Sequence, residues 1–104
     1  MNKSLLPLGT VVQLKNGAAY LFVVGYGVHD SSDQTKIYEY IGYLYPEGFL
    51  SPSINYLFNN EDIEKVIFKG YSDNKYVMAN NNLCKFINDF RKENEKWKMT
   101  NMKH

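Results

Sequence analysis

From residue 5 to residue 71 the apolar positions fall in short runs separated by turn residues; beyond that they recur at helical spacing. Leu5-Leu6-Pro7-Leu8-Gly9 leads in. Pro7 has a fixed φ and no N–H, which places it before a strand rather than inside one. Thr10 to Lys15 reads as the first strand. Asn16-Gly17 is the strongest hairpin signal in the chain, since a type I′ turn requires positive φ at both of its central residues. Ala19 to Val24 is the second strand, apolar on both faces and therefore central or sharply curved. Gly25 and Gly27 around Tyr26 predict a bulge or bend where that strand ends, and the polar stretch 28–35 predicts a loop. Ile37 to Tyr45 is the third strand, closed by a Pro46-Glu47-Gly48 turn with positive φ at Gly48. Residues 49–55, interrupted by Pro52, form a loop or a short irregular strand. Tyr56 to Phe58 is the fourth strand. Asn59 to Asp62 is a turn or one helical turn with Asn60 as its cap, and Val66 to Lys69 is the fifth strand, ended by Gly70.

Tyr76, Leu83, Ile87, Phe90 and Trp97 then lie on one stripe of a 3.6-residue helix. Ser72 or Asp73 caps its start, whereas Asn80-Asn81-Asn82 has poor helix propensity and predicts an irregular or separate first turn. The pattern predicts one domain over 1–104: a β-rich part at 5–71, a helix at 72–98 and a frayed tail at 99–104. The fold class expected is α+β, mainly β. It is a small SH3-like curved antiparallel sheet or barrel of about five strands, with one C-terminal helix over an open end or edge. An open meander with the helix across one face is the alternative.

Composition adds two facts. The 104 residues are 44% hydrophobic and 22% charged, which suits one globular core and excludes a disordered chain. Aromatic residues make up 15%, with nine tyrosines and six phenylalanines, which favours strands whose rings are partly exposed. The net charge of +1 supplies no field that would hold nucleic acid by itself. Charge is nonetheless divided: residues 1–71 hold five lysines against seven acids, residues 72–104 seven basic residues against four acids. This marks either a solvated helix face beside an acidic sheet rim or a basic helix that docks on an acidic partner. Met1 to Pro7 has no apolar run of signal-peptide length, and Ala18 to Val24 is too short to span a bilayer. A cytoplasmic protein with no membrane segment is expected, unless a partner carries it out of the cell.

The chemical inventory is thin. Cys84, the single cysteine, lies between Leu83 and Phe86 and reads as a packed thiol. His29-Asp30 lacks the further ligands that a metal site needs, and His104 is the last residue. Glu61, Asp62 and Glu64 lack the regular calcium-loop spacing and read as solvated cap residues. Gly25-Tyr26-Gly27 lacks the third glycine and the following helix of a phosphate loop. No catalytic residue, cofactor or metal is expected, and binding is favoured over catalysis.

The third strand carries the best candidate for a binding surface. By the period of two, Tyr38 and Tyr40 share one face and Tyr43 and Tyr45 the other. Both faces cannot be wholly core in a domain this small. The candidate partner-binding residues are Tyr43, Tyr45 and Phe49, with Phe49 returned towards the strand end by the turn and Glu47 as a polar rim. The competing arrangement buries that face and exposes Tyr38 with Tyr40; Ile37 and Ile41 pull the Tyr43 face inwards, and Leu44 does the same for the other.

Three segments carry a family resemblance. Leu6 to Gly17 is similar to the opening of a Firmicutes family known as domain of unknown function 4176. Tyr40-Ile41-Gly42-Tyr43-Leu44-Tyr45-Pro46-Glu47-Gly48 resembles its Tyr-x-Gly-x-x-Tyr-Pro-Glu-Gly segment. Phe58 to Tyr71 resembles its Asn-x-Glu-Asp-Ile segment with the Phe-x-Gly-Tyr ending. The likeness covers about residues 5 to 71. It implies a setting in Gram-positive type VII secretion loci, near LXG toxins and small helical partners, and it brings no catalytic residues. A protein partner is therefore expected, a toxin or a secretion component, for an accessory, adaptor or chaperone-like protein. An immunity-type role that neutralises a toxin and a small-barrel nucleic-acid binder are the alternatives.

Overall fold

The computed structural model describes residues 4–102, with side chains as far as Glu95. Five antiparallel strands form one sheet: β1 (Val11–Leu14), β2 (Tyr20–Asp30), β3 (Asp33–Tyr45), β4 (Tyr56–Phe58) and β5 (Ile63–Phe68). They are ordered β4-β3-β2-β1-β5, with a 3-10 turn at Asn60–Asp62 between β4 and β5 and the helix α1 (Asn74–Met102) after β5. This is the expected α+β, mainly β architecture. The sheet is not closed, because β4 and β5 are its two ends and do not pair.

The long β2–β3 hairpin differs most from the sequence pattern. The stretch 28–35 is not a loop: the strands pair out to Asp30↔Asp33 around a Ser31-Ser32 turn. Asp30 Oδ1 accepts the Ser32 N–H at 2.9 Å and its hydroxyl at 2.7 Å, a local bond set that lets polar residues make a tight turn. Those bonds also hold the Asp30 carboxyl below the usual carboxylate range. A bulge does fall at Val23/Gly25, but β2 continues through it instead of ending. The Asn16-Gly17 turn is likewise displaced by one residue. Gly17 N–H donates to the Leu14 carbonyl at 3.1 Å, and Asn16 alone is at positive φ, 64°. Asn59, not Asn60, caps the 3-10 turn, its N–H donating to Asp62 Oδ2 at 2.8 Å. Gly48 has the expected positive φ of 76° and its N–H donates to the Leu44 carbonyl. At Gly70 a Cβ would lie 2.2 Å from the Leu8 carbonyl oxygen, so only glycine fits where the chain leaves β5.

The core lies between the inner sheet face, the helix and the lead-in segment. Leu5, Val12, Leu21, Val23, Ile37, Tyr40, Phe58 and Ile87 are all buried. Asp73 starts α1, its Oδ1 accepting the Tyr76 N–H at 3.0 Å. The helix runs unbroken through Asn80-Asn81-Asn82 and on to Met102, past residue 98. Asn80 has a tertiary role that its propensity conceals: it is 8% exposed and its Oδ1 accepts the Leu5 N–H at 2.8 Å. The Cys84 thiol also donates to that oxygen. Leu83, Ile87 and Phe90 pack on the core as the helical stripe predicts, and Tyr76 is half-buried. The Trp97 side chain and residues 103–104 lie outside the described residues.

Leu5 to Pro7 is more than a lead-in, since Leu5 and Pro7 are buried and their neighbourhood must satisfy the backbone without a neighbouring strand. Side chains do so. Leu6 N–H donates to the Tyr40 hydroxyl at 2.8 Å, the Tyr26 hydroxyl donates to the Leu6 carbonyl at 2.6 Å, and the Tyr76 hydroxyl donates to the Leu5 carbonyl. Tyr40 then donates its own proton to Asn60 Oδ1 at 2.6 Å. Arg91 closes the far side, donating to Glu39 Oε2 at 3.2 Å and to the Ile37 carbonyl and Asn59 Oδ1 at 3.1 Å.

Two expectations follow from this core. Ile87→Ala removes a fully buried side chain and lowers unfolding free energy by about 2–5 kcal/mol in urea titrations; Leu83→Ala, at a half-buried site, costs less. The second concerns alkali. Burial pushes the Tyr26 phenol up to about 12 and also raises Tyr40 and Tyr76. Below the ordinary phenol value of about 10 these groups are protonated in both the folded and the unfolded chain, and their stabilising contribution is complete. Above it the unfolded chain releases its protons first, so stability falls as pH rises from about 10 towards 12. Absorbance at 295 nm should show these three tyrosines ionising late and together with unfolding.

Candidate protein-binding surface

The opposite face of the sheet has no layer of this chain over it among the described residues. Directly paired residues on antiparallel strands share a face, so the register sets which side chains meet there. Tyr43 pairs with Phe22, Phe22 with Val11 and Val11 with Phe68, a single row across β3, β2, β1 and β5. Tyr45 pairs with Tyr20 in the adjacent row. The intervening pairs, Val12 with Leu21 and Leu21 with Leu44, point to the core.

The three residues singled out in the sequence all lie on this outer side. Tyr45 is 52% exposed, Phe49 is 59% exposed and Tyr43 is half-buried. Tyr43 sits between two rings, with Phe49 at 5.5 Å and Phe22 at 6.2 Å between centroids, both edge-on. The turn after β3, which includes a cis Tyr45-Pro46 bond, brings Phe49 back onto the strand. Glu47 is exposed at its tip. The competing arrangement fails because Tyr40 is the buried ring, stacked on Phe58 at 5.2 Å.

Sequence reasoning missed Val11, Tyr20, Phe22 and Phe68. With Tyr45 and Ile67 they line an apolar groove of about 690 Å³ between the β3 turn and β5. Their signal was present: β2 is apolar on both faces. That pattern implies two covered faces, and the described residues cover one. The clefts beside α1 have mixed polar and apolar walls, with Cys84, Asn88 and Lys92 on one side and Ile37, Tyr38 and Asn94 on the other. Among the described residues no group of histidine, cysteine or carboxylate side chains could hold a metal ion. No helix among them is long and apolar enough to cross a membrane.

These features define an α+β protein built on an open antiparallel sheet, with one face for its core and an aromatic row on the other. The chain belongs to the domain of unknown function family DUF4176, whose profile matches residues 5–78, from the buried Leu5 to the first turns of α1. No curated protein and no solved structure matches it.

Because Tyr45 and Phe49 contribute little to the core, Tyr45→Ser and Phe49→Ser should each change stability by no more than about 0.5 kcal/mol in chemical denaturation. Tyr40→Phe, by contrast, leaves the part-buried Leu6 N–H without its acceptor and costs about 1–3 kcal/mol.

Proposed function

We propose that this protein is a non-enzymatic interaction module that holds a protein partner on the outer face of its sheet. In this reading it is an accessory, adaptor or chaperone-like component linked to type VII secretion of polymorphic toxins. The observation that carries the binding role is the uncovered aromatic row from Tyr43 to Phe68, continued by Tyr45, Tyr20 and Phe49. A contiguous apolar surface of this kind is costly in water and characterises interaction sites, whose strongest contacts are aromatic. The secretion setting comes from the family resemblance, and the partner it suggests is an LXG-type toxin or a secretion component. A toxin-neutralising role would use the same face.

The aromatic row also suits a nucleic-acid binder of the small-barrel type, on which bases stack. Basic residues at its margin are few, with Lys65 and Lys69 on and after β5, and the net charge is +1. A salt titration against single-stranded oligonucleotides separates the two readings, since phosphate contacts give a steep salt slope.

Affinity capture from the native organism at native expression tests the proposal. The expected result is recovery of a toxin or secretion component by the wild-type protein. Substitution of Tyr45 and Phe49 by serine should weaken that association roughly 30-fold, equivalent to about 2 kcal/mol, without unfolding the bait. Capture of RNA or DNA in place of protein would refute it, as would undiminished binding by the doubly substituted protein.

A further inference from the structure

The groove on the outer face has a floor of Val11 on β1 with Tyr20 and Phe22 on β2, and walls formed by Tyr45 on one side and Ile67 and Phe68 on the other. Both floor strands have a neighbour on each side, so the backbone N–H and C=O groups beneath the groove are taken up in ladders. The sheet edges offer an extended partner little more. Strand β4 has three residues, and β5 is interrupted by bulges at Glu64 and Ile67; brevity and bulges both blunt an edge. An extended segment laid in the groove would therefore bury its own N–H and C=O groups without partners. An α-helix satisfies those groups within itself and presents only side chains. The width agrees. Strand spacing of about 4.8 Å puts β3 and β5 roughly 14 Å apart, which admits one helix of about 10–12 Å diameter.

Charge is unevenly placed around this groove. By register, Lys65, Gln13, Tyr20 and Tyr45 form one outer row, which sets Lys65 at its β5 end. Lys69 follows Phe68 at the end of the same strand; both lysines are exposed, and neither makes an ion pair among the described residues. The acids of the sheet lie mostly elsewhere. Asp30 and Asp33 are at the β2–β3 turn, Glu61 and Asp62 are in the 3-10 turn, and Glu39 is bound to Arg91. Glu47, at the tip of the turn after β3, is on the wall away from β5. We infer that, granted the partner-binding role proposed for this face, its occupant is an amphipathic helix of the partner, with acidic residues along the β5-facing side of its apolar stripe. The stripe fills the groove between Tyr45 and Phe68, and the acids meet Lys65 and Lys69.

Display selection on the immobilised full chain tests it, with two libraries of peptides of about 18 residues, or five helical turns. One library fixes large apolar residues at i, i+3, i+4 and i+7; the other alternates apolar and polar residues as a strand does. The remaining positions vary among Glu, Lys and Ser. The helical library should enrich, with Glu along one flank of the stripe, and a selected peptide should gain helix by circular dichroism when it binds. Phe68→Ser should weaken that peptide about tenfold. Lys65→Glu should weaken it roughly fivefold at low salt, and exchanging the flanking Glu for Lys in the peptide should restore binding to that variant. Lys65→Glu, at an exposed position, provides a result should Phe68→Ser fail to fold. Enrichment of alternating peptides alone, of helices with a basic flank, or of nothing overturns the inference, as does binding indifferent to both substitutions. Self-association of the wild type that Phe68→Ser abolishes in sedimentation equilibrium also overturns it, by making a second copy the occupant. Native partner capture that needs Tyr45 and Phe49, beside a selection of alternating peptides, discards the helix and keeps the face as a binding site. Capture indifferent to Tyr45 and Phe49 discards the role of the face itself, so the two readings fail separately.

Discussion

The structure depends on how the backbone of the buried Leu5 and the half-buried Leu6 is satisfied. This segment lies between sheet and helix and has no strand beside it, yet every polar group of Leu5 and Leu6 that faces the core has a side-chain partner. Tyr26 and Tyr40 reach it from the β2–β3 hairpin, Tyr76 and Asn80 from α1. An unpaired buried amide costs more than a typical hydrogen bond contributes, so the four side chains act as a set. They also join three distant parts of the chain, because hairpin and helix meet through the segment both of them bind. Asn60 extends the set to the 3-10 turn through the Tyr40 hydroxyl, and no buried side-chain nitrogen or oxygen among the described residues is left unpartnered.

The same hairpin supplies both faces. Tyr40 and Gly42 turn inwards, where Gly42 makes room for Phe58 and for the backbone of Phe22. Tyr43 and Tyr45 turn outwards into the aromatic row. Strand β3 is backed by the core on the side opposite Tyr43 and Tyr45 and is tied to α1 by Arg91 at its Glu39 end.

Strand number, the Gly48 turn, the 3.6-residue stripe of α1 and its start at Ser72 or Asp73 were legible in the sequence, since each is a local preference acting over a few residues. So was the split of tyrosines between two faces of β3, which follows from the strand period alone. Which face became core was a tertiary decision. Ile41 and Leu44 pull in opposite directions, and only the arrival of Leu6, Phe58 and Asn60 around Tyr40 resolves them, while Ile37 is buried in the same core as Tyr40. The apolar second face of β2 pointed to a covering layer that the described chain does not supply. Stretch 28–35 read as a loop because its residues are polar, but cross-strand pairing with a tight Asx-bonded turn overrides composition. Asn80 read as a helix weakener because propensity measures an isolated helix, whereas in the folded chain its amide oxygen answers the Leu5 N–H. Local chemistry thus determined the elements, and long-range hydrogen bonding and packing decided which sides of them meet.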